Sequence, residues 1–201
     1  MNRLLRWLVP ALAVTATALA TAGTAAASPT VHLDGVRTTL WTDPTTTKVL
    51  IQHHIVPMPT KGTSVTVRCT PRGKSIGFGF PIPSGQVDAA TLAGYINHSG
   101  GIRFVNRTNG KHLSLTRFRI VIDAHPRLTA IVNGDPNVRV SILRLDLSHA
   151  TVAKPLPYVK VGNVGAYLNA TSAGALNSAL GVSFFAPGIR LGTAYVNAHV
   201  A

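Results

Sequence analysis

The feature that most constrains the fold is an alternation of apolar and polar side chains at every second position. It is clearest over residues 113–122 and 138–147. A period of two is typical of a β-strand with one buried face. The parity slips by one residue at 116–117 in the first run and at 142–143 in the second, so we predict a β-bulge at each place.

Short turn sequences separate these alternating runs. Asn109-Gly110 and Asn133-Gly134-Asp135-Pro136 are two examples. Roughly nine short strands at such spacing, without long helices between them, indicate an antiparallel sandwich or barrel rather than βαβ units. We predict an all-β protein, an antiparallel β-sandwich with Greek-key-like connections and one or two short helices.

Two segments have helical signals instead. Asp43 followed by Pro44 is a good N-cap and first helical position for a helix over residues 45–54. A second short helix is expected to begin at Thr171 or Ser172 and to end at Gly181.

The N-terminal segment has the pattern of an export signal. Residues 1–27 contain two early arginines, an apolar stretch and a final run of three alanines. We therefore predict a cleaved signal peptide over 1–27 and one domain over 28–201. No later segment is apolar for long enough to span a membrane, so we expect an extracellular or cell-envelope location without a transmembrane segment after cleavage.

Charge narrows the classes of function. The chain has 19 Lys and Arg, only 6 acidic residues, all of them Asp, and a formal net charge of +13. Without Glu, few carboxylate pairs are available, and Ser99, His98 and Asp123 lack the Gly-x-Ser-x-Gly context of a nucleophile. We expect no catalytic residues.

The basic residues form no Lys/Arg run, so nucleic acid is not the expected partner. An anionic cell-wall polymer fits the positive charge better.

Cysteine and histidine give no clear metal site. The lone Cys69 cannot form an intrachain disulfide, and its place in an alternating run suggests a small core residue. His53 and His54 are adjacent, and their side chains diverge by about 100° on a helix. We predict no metal site, and the sequence leaves the role of this pair open.

The segment 94–104 is the most informative for ligand binding. In a strand, Tyr95 points to one face and His98 to the other, next to Gly100 and Gly101. Glycines allow a flat group to approach the main chain. A binding role for these four residues and a purely structural core histidine are equally compatible with the pattern.

This segment resembles the HtaA-type domain of secreted actinobacterial proteins. The resemblance continues through residues 80–88, 113–115, 123, 128–130 and 145–148. Residues 175–177 and 188–194 also resemble a branch of exported actinobacterial proteins. The resemblance to the HtaA-type domain implies a haem-binding β-sandwich of the cell envelope. In haem-binding members an axial Tyr lies in an N-terminal strand motif, and residues 38–41 contain none.

Any iron ligand would then come from another part of the chain, and Tyr95 and His98 are the nearest candidates. An anionic Tyr is a suitable ligand for ferric haem. We predict a secreted or envelope-associated, non-catalytic binding protein with haem as its ligand. The alternative is a structural or adhesion module that binds anionic cell-wall polymer through its basic surface.

Overall fold

A computed structural model describes residues 28–201, and the predicted signal peptide at 1–27 lies outside the described residues. The described chain contains thirteen strands and two helices. In chain order they are β1 (Thr30–Thr42), α1 (Pro44–Gln52), β2 (Ile55–Pro59), β3 (Ser64–Thr70), β4 (Gly73–Pro81), β5 (Ser84–Asp88), β6 (Gly94–Asn97), β7 (Gly101–Asn106), β8 (His112–Ile122), β9 (Arg127–Val132), β10 (Arg139–Asp146), β11 (Thr151–Ala153), β12 (Tyr158–Leu168), α2 (Ala170–Leu180) and β13 (Arg190–Val200).

The strands form one antiparallel sheet that closes on itself. Hydrogen-bonded pairs run from β1 through β5, β6, β8, β9, β10, β12 and β13 and back to β1. The prediction of an antiparallel all-β fold with two short helices is confirmed. The architecture is an eight-stranded barrel rather than two separate sheets, because the first and last strands pair along most of their length and close the ring.

Besides β11, which pairs with the first part of β12, short strands extend this ring at two places. The long strand β1 pairs with β5 through its first residues and with β4 through its last, and β3 lies beyond β4. In the same way β8 pairs with β6 at one end and with β7 at the other, and β2 lies beyond β7. The two extensions project from the end of the barrel at which α1 leaves β1.

Both predicted bulges are present. The register of β8 with β9 shifts between Thr116 and Arg119, and Arg117 has a left-handed φ of 47°. The register of β10 with β9 shifts between Ser141 and Leu143. Because of each bulge, the apolar side chains before and after the shift in register both face the barrel interior.

The helices begin at side-chain caps. Asp43 accepts a hydrogen bond from the Thr45 amide at 2.9 Å and begins α1, as predicted. The cap of α2 is Asn169, which accepts from the Ser172 amide, so the prediction of Thr171 or Ser172 was wrong. Ser172 is not the cap because its hydroxyl donates to the Ser141 carbonyl instead. Gly181 ends α2 in the left-handed conformation, as predicted.

The core fills the barrel and the space beneath the helices. Leu50 of α1 and Leu176 and Leu180 of α2 join one apolar cluster with Phe78 and inward-facing strand residues. Cys69 is exposed on β3, which corrects its expected place in the core. The cause is the position of β3 at the outer edge of the sheet, where one neighbouring strand is missing. Among residues 28–201, no helix is long and apolar enough to cross a membrane.

Candidate functional site

Tyr95 and His98 lie on opposite sides of the barrel wall. Tyr95 is on the outer face of β6 and is 37% exposed, with the Arg119 guanidinium 5.3 Å from its ring centre. His98 follows the same strand, points into the barrel and is only 4% exposed. The structure therefore does not bring the two side chains to a common space.

The two predicted glycines are covered by protein. A Cβ on Gly100 would overlap the Thr63 side chain, and one on Gly101 would overlap the Leu115 carbonyl. The Gly101 amide donates to the Thr63 hydroxyl at 2.8 Å. Close approach of the loop before β3 thus explains the glycine at position 100, and close approach of β8 explains the glycine at position 101.

His98 makes one side-chain hydrogen bond inside the barrel. Its Nε2 lies 2.7 Å from the hydroxyl oxygen of Thr38, a buried residue of β1. Its Nδ1 has no hydrogen-bond partner among the described residues. Burial lowers the pKa of His98 from 6.5 to about 4, against a small opposing effect of the Phe118 backbone. His98 is therefore neutral at pH 7, and no charged group faces it in the apolar lining of its cavity.

The residues considered for catalysis do not assemble. His98 is inside the barrel, whereas Asp123 is exposed after β8 and forms a 2.6 Å ion pair with Arg127. In residues 28–201, no three His, Cys, Asp or Glu side chains are grouped as a metal ion would need.

The barrel interior does not fit a haem group. The cavity beneath the two helices measures about 70 Å³, and the one beside His98 about 30 Å³. Pockets that take small-molecule ligands typically measure roughly 300–1,000 Å³. A flat macrocycle would therefore have to bind on the outside of the barrel or at its end.

An aromatic stack of an exposed imidazole on a half-buried phenyl ring lies where α1 ends. His53 is the C-cap residue of α1, and its ring stacks on Phe184 with 4.2 Å between ring centres and 12° between planes. Phe184 in turn contacts the buried ring of Phe185 at 4.2 Å. The side chain of Asn177 holds the Phe185 backbone through two hydrogen bonds of 2.8 and 3.0 Å. This anchoring keeps the exposed imidazole on a rigid support.

The turn between β7 and β8 lies beside this stack. The Arg107 amide donates to the carbonyl of His54, the next residue after His53. Asn109 donates to the carbonyl of Leu180 at 3.0 Å, and the Lys111 side chain lies beside Gly181. We call the surface made by His53, Phe184, Arg107 and Lys111 the helix-end surface. It combines an imidazole, an aromatic ring and two exposed cations.

The sequence gives only part of this surface. The adjacent pair His53-His54 can be seen in the sequence, but two exposed imidazoles at a helix end do not by themselves indicate a binding site. The signal that was missed is the aromatic pair Phe184-Phe185 in the loop that follows the second helix, since aromatic rings prefer to stack on other rings.

Comparison with known proteins shows the fold. No protein-family model and no curated protein sequence matches this chain. The structure is similar to the C-terminal domain of HtaA from Corynebacterium glutamicum, with a TM-score of 0.61 and 18% identity over 85% of this chain and 99% of that one. It is also similar to heme binding protein HtaB from the same organism, with a TM-score of 0.51 and 12% identity over 87% of this chain and 97% of that one.

A histidine-to-alanine variant of the HtaA domain, which forms a domain-swapped dimer, matches with a TM-score of 0.53 at 18% identity over 78% of this chain and 91% of that one. The HtaA-type fold expected from the glycine-rich segment is thus confirmed.

Proposed function

We propose that this protein is a non-catalytic haem-binding protein of the cell envelope and that haem binds at the helix-end surface. The observation that carries the proposal is the exposed His53–Phe184 stack, in a fold shared with a protein described as heme-binding. The small size of the interior cavities supports an external site.

Each side chain of the helix-end surface has a role in this proposal. The His53 imidazole would bind the iron, because imidazole is a common haem ligand. Phe184 holds that imidazole by stacking and offers apolar area to the macrocycle. Arg107 and Lys111 pair with the two propionate groups, since exposed cations bind carboxylates by charge and hydrogen bonding. Bound haem supplies the iron chemistry, and the protein supplies binding and orientation.

A titration of ferric haem into the chain beginning at Ser28 tests this site. We expect a shift of the Soret band that saturates at one haem per chain and is lost in His53→Ala. His125→Ala is the matched control, because it removes another exposed imidazole in a loop far along the chain. It should bind like the unchanged protein.

The same titration separates the alternative ligands. Tyr95 on the outer face of β6 is the ligand predicted from the sequence that solvent can reach. A spectrum that changes in Tyr95→Phe and not in His53→Ala would move the site to β6. The absence of any Soret shift in the unchanged protein would rule out haem binding.

The envelope location rests on residues 1–27. An affinity-tagged full-length chain expressed in an actinobacterial host should appear in the envelope or medium with its new N-terminus near Ser28. An uncleaved chain in the cytosolic fraction would contradict this part of the proposal.

A further inference from the structure

Five arginines lie together on the outer face of three neighbouring strands. They are five of the eleven arginines in residues 28–201. We call this surface the arginine face, and its members are Arg117 and Arg119 on β8, Arg127 on β9, and Arg139 and Arg144 on β10.

Strand pairing brings these arginines close to one another. Thr129 of β9 lies opposite Arg119 on one side and Ser141 of β10 on the other. One pair further along, Arg127 lies directly opposite Arg144. The β8 bulge adds Arg117 to the same region. Neighbouring strands are about 4.8 Å apart, and residues two apart on a strand are about 7 Å apart, so the face presents positive charges at short intervals in two directions.

The positive charges outnumber the nearby carboxylates. Like charges directly opposite each other destabilise a sheet, and Arg127 and Arg144 are such a pair. Asp123 neutralises Arg127 through their 2.6 Å ion pair. Asp146 lies near Arg144 at the end of β10. Burial and the positive charges of Arg119 and Arg117 lower the pKa of Arg139.

Several of these side chains are already held in place. The Nε of Arg119 donates to Asn97 at 2.7 Å, and Arg139 donates to the Thr129 hydroxyl at 3.1 Å. Arg144 lies over the ring of Tyr167 at 4.8 Å, as Arg119 lies over Tyr95. Because the arginines are ordered before a partner arrives, binding costs less side-chain entropy.

We propose that the arginine face binds the phosphate groups of a linear polymer that carries a phosphate in each repeating unit of its backbone, as polyphosphate does. A guanidinium group matches a phosphate with two parallel hydrogen bonds, and neighbouring arginines would contact successive phosphates of one chain. The two tyrosines that flank the face carry arginines on their rings, so the face recognises the backbone of the polymer and offers no free platform for stacking bases. This surface lies on β8–β10 and is separate from the site proposed for haem.

Binding of inorganic polyphosphate across a salt series tests the proposal. With five contacts, the logarithm of the association constant should fall against the logarithm of salt concentration with a slope of roughly −3.5, because each neutralised phosphate of a single-stranded polyanion contributes about −0.7. In the double variant Arg119→Gln, Arg139→Gln, the slope should weaken by roughly 1.4, and the affinity should fall at every salt concentration.

The matched control removes two charges elsewhere. Arg72→Gln, Lys74→Gln has the same net charge as the test variant, and both residues are exposed at the start of β4, beyond β1 in the sheet. It should bind polyphosphate like the unchanged protein. An equal loss in the two double variants would mean that net charge alone attracts the polymer and would overturn the proposal.

Two further measurements complete the test. Arg119→Lys, Arg139→Lys keeps the charge and gives a folded alternative if the glutamine variant fails to fold. It should keep the salt slope and lose affinity, and an unchanged affinity would overturn the role of the guanidinium groups. Single-stranded DNA of matched charge should bind no more tightly than polyphosphate; much tighter binding would show base recognition and would also overturn the proposal.

Discussion

Two histidines of this protein lie in opposite environments. His98 is sealed inside the barrel, has one side-chain hydrogen bond to Thr38 and has a pKa lowered by burial to about 4. His53 is exposed at the end of α1 and is supported on one side by Phe184. The comparison shows that the glycine-rich motif around His98 shapes the wall of the barrel, whereas the less conspicuous His53 is the one that a ligand in solvent can reach.

The largest effect is expected from opening the barrel interior. Phe78 is 1% exposed and lines the cavity beneath the helices. Phe78→Ala should lower the free energy of unfolding by about 3–5 kcal/mol, because it removes a buried ring and enlarges the cavity. Phe184→Ala, at the half-buried stack, should lose only about 1 kcal/mol. Urea unfolding measures both, and equal losses would contradict the distinction between interior and helix end.

Acid should destabilise the protein through His98. Its folded pKa of about 4 lies below the unfolded value of 6.5, so the unfolded state binds the proton first as pH falls. The contribution of neutral His98 is complete above pH 6.5 and is lost between pH 6.5 and 4. The loss reaches about 3 kcal/mol near pH 4, where the folded state also begins to bind the proton. Unfolding free energies measured across this range should show the decline.

The control for this pH dependence is His98→Leu. The variant has no group that titrates at this position, so its unfolding free energy should change less between pH 6.5 and 4 than that of the unchanged protein. His53→Leu should leave the pH dependence close to that of the unchanged protein. A steeper decline in His98→Leu would mean that other groups dominate the acid response.

A smaller effect is expected from the hydrogen bond between Thr38 and His98. Thr38→Val keeps the shape of the side chain and leaves both ring nitrogens of His98 without a partner, at a cost of about 1–3 kcal/mol. Replacing both partners, as in Thr38→Val, His98→Leu, should recover much of that loss. A double-mutant cycle, with each free energy of unfolding measured in urea, gives the coupling energy between Thr38 and His98. Simple additivity of the two changes would show no coupling.

Local patterns were sufficient to predict many elements of the fold. The two slips of parity predicted both bulges, and Asp43-Pro44 predicted the start of α1. These features depend on residues a few positions apart. Closure of the barrel depends on pairing between β1 and β13, which are distant in sequence, and alternation along a strand carries no information about its partner. The sequence therefore predicted antiparallel strands but not the ring.

The helix-end surface was hidden for a similar reason. His53 and Phe184 meet only because α1 and the loop after α2 come together at one end of the barrel. By contrast, Tyr95 and His98 are near in sequence, and the same alternation that identifies a strand places them on opposite faces. Spacing in a motif thus predicted which residues lie close along the chain, whereas contact between distant segments decided which of them share a surface.

The smallest predicted effect concerns the opposite end of α1 from His53. Asp43→Ala removes the acceptor for the Thr45 amide and should cost about 1 kcal/mol of unfolding free energy. Asp43→Asn keeps a good cap and should be nearly neutral. Because Phe184 stacks on His53, the C-terminal end of α1 should stay ordered while its first turn opens more often. Hydrogen exchange measures this directly: faster exchange confined to the first turn is expected, and equal acceleration at both ends would mean that the stack does not hold the helix end.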